Sequence, residues 1–105
     1  MFARVSTYEL SHGQREAAQE AFKEAIERIA ELQGFVDGYF LFACEGDRAM
    51  TVVFWESNAA MTASRVAASR LRSDAARGVD GDILSVEEYE VVTHVGSTLS
   101  SGAAS

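Results

Sequence analysis

Cysteine, histidine and basic residues are scarce in this 105-residue sequence. The single cysteine, Cys44, excludes a disulfide within the chain, and its place in a strand-like run predicts a small buried hydrophobe in a reducing compartment. Lysine and arginine number 9 against 16 acidic residues, so the net charge is −7. Nucleic acids and anionic membranes attract basic surfaces, and this composition argues against both as partners.

Several common site motifs are also missing. No apolar run reaches membrane-spanning length, and the N-terminus lacks a basic-plus-apolar signal because Arg4 already lies inside an alternating strand pattern. Neither His12 nor His94 has a ligand partner at metal-binding spacing, and no glycine-rich phosphate loop occurs. We therefore expect a cytoplasmic protein with no metal, nucleotide or flavin cofactor.

What the chain does contain is a regular alternation of strand and helix patterns. Residues Phe2 to Glu9 alternate as a strand, and an apolar stripe at helical spacing predicts a helix over Gln14 to Gln33. Ser11 and Gln14 fit a capping box at its start, and Gly34 is a typical stop after its end.

The second half repeats this pattern. A strand over Phe35 to Cys44, with a bulge or close approach at Gly38, is followed by a hairpin loop and a strand over Arg48 to Glu56. Ser57 is a good N-cap for a second helix ending near Arg77, with a break near Ser73. A last strand, Leu84 to His94, loses its alternation around Glu87 and Glu88, which predicts a β-bulge there.

The resulting βαββαβ order predicts a ferredoxin-like α+β sandwich over residues 1–94, followed by a flexible tail over residues 95–105. With both helices on one side of the sheet, the other side exposes either Phe40 and Phe42 or Tyr39 and Leu41. Either choice leaves an apolar face in water. We therefore expect a homodimer formed by sheet-to-sheet packing.

Several short motifs together resemble one known family. They are Ala3-Arg4-Val5, Gly34 to Tyr39, Trp55-Glu56-Ser57, Leu71-Arg72 and Tyr89-Glu90-Val91. In this order and spacing the chain resembles the antibiotic biosynthesis monooxygenase-like domains of the dimeric α+β barrel superfamily. The resemblance implies a barrel formed by two sheets, with a small-molecule pocket between the helices and the sheet of each subunit. Some members oxidise aromatic or quinol substrates with molecular oxygen and no cofactor, and others degrade haem.

Departures from that family bear on function. Haem-degrading relatives carry an Asn on the first strand and a Trp and a His on the second helix. Here the first strand offers Ser6 and Thr7, and the corresponding helix positions hold Ser64 and Asp74. The resemblance therefore disfavours haem degradation, and it supplies no ready-made catalytic base on the second helix.

Five residues are candidates for a substrate pocket: Trp55, Tyr39, Arg65, Tyr8 and Phe22. Trp55 offers a ring and an indole N–H, the tyrosines offer hydroxyl groups, and Arg65 offers a positive charge for an anionic substrate. Each aromatic also has an ordinary interpretation as a core residue. The sequence thus leaves two hypotheses: a cofactor-independent monooxygenase acting on a small aromatic or quinol, or a non-catalytic ligand-binding or structural dimer.

Overall fold

Four antiparallel strands form one sheet in this protein, whose computed structural model describes residues 1–96. The strand order is β2-β3-β1-β4, and all helices lie on one side of the sheet. The predicted ferredoxin-like α+β fold is confirmed; of the expected flexible tail, residues 97–105 lie outside the described part. The elements are β1 (Phe2–Glu9), α1 (Arg15–Ile29), β2 (Phe35–Phe42), β3 (Arg48–Trp55), α2 (Asn58–Ala63), α3 (Arg65–Gly78) and β4 (Asp82–Glu90).

The register of the strands assigns every side chain to one of two faces. The helix face includes Arg4, which bonds to α2, and Tyr8, which packs on Phe22 of α1. The opposite face, here called the open face, has no covering element within residues 1–96. Of the two alternatives left open by the sequence, Tyr39 and Leu41 lie on the open face. The open face is formed by Ala3, Val5, Thr7, Asp37, Tyr39, Leu41, Met50, Val52, Phe54, Ser85, Glu87 and Tyr89.

Helix α1 buries the predicted apolar stripe but differs at both ends. Ala18, Phe22, Ala25 and Ile29 are buried as expected. The predicted capping box is wrong, because Ser11 Oγ donates a hydrogen bond of 2.7 Å to the Asp80 carbonyl and the cap position makes no side-chain bond. The helix also ends at Ile29, four residues before the predicted Gln33.

The predicted second helix is divided in two at Ser64, and not near Ser73. Its start is as predicted, since Ser57 Oγ accepts a 3.0 Å hydrogen bond from the Ala60 amide. At the break, the Met61 carbonyl accepts bonds from Arg4 Nη2 at 2.8 Å and from Ser64 Oγ at 2.7 Å. Side chains that capture a helical carbonyl in this way interrupt the backbone ladder. A buried arginine on a distant strand therefore sets the division of the helix.

The strand ends and irregularities also depart from the predictions. Strand β2 ends at Phe42, which leaves Cys44 exposed outside the strand, so its predicted burial is wrong. The β2 irregularity lies at Val36, whereas Gly38 is a close-approach point: a Cβ there would lie 2.7 Å from Ile26 Cγ2.

The last strand differs in both position and bulge. Strand β4 spans Asp82–Glu90, and its register with β1 shifts at Leu84, between the partners of Thr7 and Tyr8. The sequence predicted the bulge at Glu87 and Glu88. The alternation fails there for another reason, because Glu88 faces inward to pair with Arg4.

The core consists of two neighbouring clusters between the helices and the sheet. The first surrounds Phe22, whose ring is stacked on Phe40 and tilted against Tyr8, both with ring centroids 4.7 Å away. The second surrounds Trp55, which is fully buried and meets Phe35 edge-on. Within residues 1–96, no helix has the length and apolar character needed to cross a membrane.

Candidate ligand pocket

An internal cavity lies between the helices α1 and α3 and the helix face of the sheet. Its volume is about 20 Å³, which is room for about one water molecule. Aromatic and aliphatic side chains share its wall with arginine and hydroxyl groups. The lining residues are Arg4, Ser6, Tyr8, Phe22, Ala25, Ile26, Ile29, Thr51, Val53, Trp55, Ala68 and Arg72.

Tyr8 provides a buried hydroxyl at one end of the cavity. Its Oη lies 2.8 Å from Thr51 Oγ1 on the neighbouring strand, and the ring packs on Phe22. Burial raises the pKa of the Tyr8 hydroxyl above its ordinary value, against the lowering effect of its hydrogen bonds. Tyr8 is therefore neutral at physiological pH and acts here as a hydrogen-bonding group.

Two residues of the cavity wall carry buried N–H donors that lack partners. Trp55 Nε1 and Arg72 Nε are inaccessible to solvent and have no hydrogen-bond acceptor within residues 1–96. Leaving a buried donor unsatisfied costs about 1–3 kcal/mol, so native proteins keep few such groups. Because both residues line the same cavity, these donors favour a site for an acceptor there, such as a water or a ligand oxygen.

Arg4 places a second guanidinium group beside the cavity. The residue is 3% exposed, and its Nη1 donates to Ser64 Oγ at 3.1 Å while its Nη2 donates to the Met61 carbonyl. Its Cζ lies 5.8 Å from the centre of the Trp55 ring, a cation–π distance. Burial and the charge of Arg4 lower the pKa of Arg72, although an arginine stays protonated in proteins.

Glu88 neutralises part of this positive charge at the outer end of the site. Its Oε2 accepts from Arg4 Nη2 at 2.8 Å, and its Oε1 accepts from Arg65 Nη2 at 2.6 Å. Hydrogen bonds from Arg65 and Arg4 lower the pKa of the Glu88 carboxyl to about 2, and the same carboxylate raises the pKa of Arg65. Glu88 is thus ionised at any ordinary pH and is a weak base.

The cavity wall contains no stronger side-chain base. None of its lining residues is a histidine, cysteine, aspartate or glutamate. Across residues 1–96, no group of three or more such side chains is placed to hold a metal ion. The chemistry available in the cavity is therefore hydrogen-bond donation, positive charge and aromatic contact.

Three of the five candidate residues come together in this cavity. Tyr8, Phe22 and Trp55 line it, with Trp55 and Tyr8 fully buried. The other two do not line it. Tyr39 lies on the open face, edge-on to Phe54 with ring centroids 6.2 Å apart, and Arg65 is exposed at the outer end, bound to Glu88.

Two arginines line the cavity, Arg4 and Arg72. The sequence did not indicate Arg4, and it offered Arg72 only as one of three second-helix arginines, with Arg70 and the chosen Arg65. Ser64 and Glu88, which bind Arg4, were missed as well. One signal was present in the sequence: Arg4 alternates with Ala3 and Val5, so if β1 turns its larger side chains inward, an arginine enters the core. The pattern alone did not decide which face of β1 is buried.

Comparisons with known proteins bear on the fold. No protein-family model matches the sequence, and no curated protein matches it either. Among solved structures, a candidate antibiotic biosynthesis monooxygenase from Deinococcus radiodurans is similar with a TM-score of 0.75 and 12% identity, over 93% of this chain and 99% of that one. SnoaB, a cofactor-independent oxygenase from Streptomyces nogalater, is similar with a TM-score of 0.74 and 14% identity, over 91% of this chain and 97% of that one.

A third solved structure adds a different ligand class. A mutant of MhuD with two manganese protoporphyrin IX molecules bound per active site gives a TM-score of 0.66 and 22% identity, over 92% of this chain and all of that one (100%). Identities this low establish a shared fold and leave the reaction open. The resemblance predicted from the sequence is confirmed at that level: the chain has the ferredoxin-like α+β fold of antibiotic biosynthesis monooxygenase-like domains.

Proposed function

We propose that this protein is a cofactor-independent monooxygenase that oxidises a small aromatic or quinol-type substrate bound as its anion. The observation that carries this proposal is the pair of unsatisfied donors, Trp55 Nε1 and Arg72 Nε, in a buried cavity lined by aromatic rings. Fixed donors in a site without water stabilise a developing oxyanion far better than water does. The likeness of fold to SnoaB, a cofactor-independent oxygenase, supports the same conclusion.

The reaction that fits this cavity needs no redox group from the protein. A hydroxylated aromatic, either an anthrone or a quinol, loses a proton, and the resulting anion gives electrons to molecular oxygen. A carbon–oxygen bond forms at a ring carbon and the oxygen–oxygen bond breaks. The CH₂ of an anthrone becomes a carbonyl, whereas a ring CH of a quinol becomes C–OH as the quinol is oxidised to a hydroxyquinone. In both cases one oxygen atom ends in the product and the other leaves as water with two hydrogens from the substrate, so atoms and electrons balance.

Each lining residue then has a defined part. Trp55 Nε1 and Arg72 Nε donate hydrogen bonds to the substrate oxyanion, and Arg4 adds positive charge behind the Trp55 ring. The rings of Trp55 and Phe22 contact the substrate ring. Because no strong base lines the cavity, the arginines promote the reaction by lowering the pKa of the bound substrate.

Binding a ring requires the cavity to widen. At about 20 Å³ it is smaller than any aromatic substrate. Arg72 is only half-buried, so movement of its side chain would open the cavity toward solvent. Closure over the substrate would then exclude water from the reactive anion.

Haem is a poor fit to the same space. MhuD binds a metalloporphyrin, but the residues lining the cavity here include no histidine, cysteine or methionine to ligate iron. The one lining phenol, Tyr8, already bonds to Thr51. We therefore do not extend porphyrin binding to this chain.

The open face supports a proposal about assembly. Its apolar side chains Leu41, Val52 and Phe54 have no cover within residues 1–96. Leu41 is 45% exposed and Tyr89 is 50% exposed. We propose that two copies pair through their open faces, which would bury this surface and bring two sheets together as a barrel.

Oxygen consumption with a panel of hydroquinones and anthrones tests the proposed reaction. We expect turnover by the native protein and its loss in Trp55→Phe, which removes the N–H and keeps a ring. Tyr39→Phe is the matched control, since it removes a polar group from an aromatic on the open face and leaves the cavity unchanged. Thermal unfolding of both variants shows that the fold is retained.

The lack of a base in the cavity favours a second candidate, ligand binding without turnover. Its sign would be a ligand-dependent rise in melting temperature with no oxygen uptake for any compound in the panel. That result would overturn the monooxygenase proposal and retain the pocket.

A further inference from the structure

Three guanidinium groups meet in a cleft at the outer end of the cavity, between α3 and the edge strand β4. This arginine cleft has a volume of about 360 Å³ and is lined by Arg4, Arg65, Ser69, Arg72, Val86 and Glu88. Arg4 and Arg72 also line the inner cavity. A molecule lying across these two side chains would therefore reach both spaces.

The arginine cleft is cationic in a protein that is acidic overall. Three of the nine basic residues of the chain line it, against the one carboxylate of Glu88, while the whole chain carries a net charge of −7. Arg4 and Arg65 share Glu88, but no ion pair joins Arg72 to a carboxylate within residues 1–96. A concave surface of this charge attracts small anions.

The geometry at Glu88 indicates which anion fits. Arg65 holds this carboxylate with two bonds, from Nε to Oε2 at 3.1 Å and from Nη2 to Oε1 at 2.6 Å. Arg4 adds two bonds to Oε2, at 3.1 Å from Nε and 2.8 Å from Nη2. The two Arg65 bonds, one to each oxygen, form the fork that matches a planar carboxylate, while both Arg4 bonds go to one oxygen.

Glu88 lies where its side chain can reach solvent. It lies on β4, which is at the edge of the sheet, and it faces the open cleft. Another carboxylate would satisfy the same donors while Glu88 turned to solvent. The protein's own side chain thus marks the place of a ligand group.

We infer that the arginine cleft binds the carboxylate of an aromatic acid whose ring enters the inner cavity, and that Glu88 competes for the same position. The inference rests on the proposed function, because it names the substrate class of that site: hydroxylated aromatic carboxylates. The carboxylate would lie at the arginines of the cleft, and the ring would enter the inner cavity, which Arg4 and Arg72 also line.

The test compares two ligands that differ by one carboxylate, gentisate and hydroquinone, by titration calorimetry at fixed ionic strength. For the native protein we expect gentisate to bind at least about tenfold more tightly, as hydrogen bonds to charged groups contribute about 1.5–3 kcal/mol. Arg72→Gln and Arg65→Gln should each reduce this preference. Arg70→Gln, an exposed arginine on α3 outside the cleft, is the control and should keep it.

Glu88→Gln provides the opposite change. It removes the competing charge and keeps the side-chain length, so gentisate should bind more tightly while hydroquinone is unaffected. Arg65 is exposed, so its variant should fold even if Arg72→Gln does not.

The outcomes separate this inference from the proposed function. Equal affinity for the two ligands, or an unchanged preference in both Arg65→Gln and Arg72→Gln, would overturn the carboxylate site; oxygen uptake with hydroquinone would then still support the monooxygenase. Binding of neither ligand, with no turnover of the wider panel, would overturn both.

Discussion

Each face of the sheet carries some residues that depart from the usual distribution of polar and apolar side chains. The helix face is buried, yet it holds Arg4, Ser6 and Thr51, which are 3%, 1% and 6% exposed. The open face is uncovered within residues 1–96, yet it holds Tyr39, Val52 and Phe54. Burying polar groups costs free energy unless they are bonded, and exposing apolar groups forgoes the gain from burial.

The contrast supports the proposed ligand site and the proposed pairing of two copies. Polar groups on the buried face surround one cavity, and two of its donors are unsatisfied, which is the pattern of a binding site. Apolar groups on the open face, among them Leu41, Val52 and Phe54, lie beside polar pairs such as Thr7 with Ser85 and Tyr89 with Glu87. An uncovered apolar surface with polar groups at its border is the pattern expected of a contact with a second copy. The two sides of the sheet are thus proposed to have two purposes.

The largest expected effect comes from placing a charged residue on the open face. Val52→Lys places a charge at its centre, and we expect the dimer to dissociate into folded monomers. Light scattering coupled to size-exclusion chromatography measures this. Val66→Lys is the matched control, because Val66 is 75% exposed on α3, on the helix side. A native protein that is already monomeric would contradict the proposed assembly.

The two faces also differ in how much each phenylalanine stabilises the subunit. In the monomeric Val52→Lys background, Phe22→Ala on the helix face should cost about 3–5 kcal/mol of unfolding free energy, since Phe22 is 1% exposed. Phe54→Ala on the open face should cost clearly less, because that side chain is partly solvated before any pairing. Urea unfolding of both variants gives the comparison, and equal costs would contradict it.

The buried hydrogen bond between Tyr8 and Thr51 on the helix face allows the cost of an unpaired polar group to be measured. Tyr8→Phe leaves Thr51 Oγ1 without its 2.8 Å partner, and we expect a loss of about 1–3 kcal/mol. Replacing both residues, as Tyr8→Phe with Thr51→Val, should recover part of that loss because no buried polar group is then left unpaired. Urea unfolding of the two single variants and the double variant measures the coupling. A double variant as unstable as the sum of both changes would mean that the pair acts independently.

Local patterns predicted most of the fold. The bounds of β1 and the buried stripe of α1 follow from short-range alternation and helical spacing, and the Ser57 cap follows from adjacent residues. The break at Ser64 was mispredicted because it depends on Arg4, 60 residues away in sequence. The inward turn of Glu88 depends on the same arginine, 84 residues away. Long-range polar contacts leave no periodic signal in a sequence.

The sequence predicted the aromatic residues of the candidate site and missed its charged residues. Tyr8, Phe22 and Trp55 are large side chains in clear strand and helix patterns, so a place near the core was expected. Arg72 was one of several arginines on the second helix, and choosing it over Arg65 requires the rotation of α3 about its axis. Both arginines lie on α3, and the local sequence pattern does not say which of them turns toward the cavity.

The smallest expected effect concerns the contribution of the Glu88 carboxylate, on the helix face, to stability. Its pKa is about 2 in the folded protein against an ordinary 4.5, so the unfolded chain takes up a proton first as the pH falls. The stability that Glu88 contributes is therefore complete above pH 4.5 and is lost as the pH falls toward about 2.

At neutral pH we expect Glu88→Gln to be less stable than the native protein by about 1 kcal/mol, since solvent screens a pair near the surface. Urea unfolding over this pH range should show the gap closing in acid, whereas Glu87→Gln on the open face should leave the acid response of Glu88 unchanged. A gap that stays constant with pH would mean that Glu88 contributes through packing, and its exchange for a ligand carboxylate would then lose its electrostatic basis.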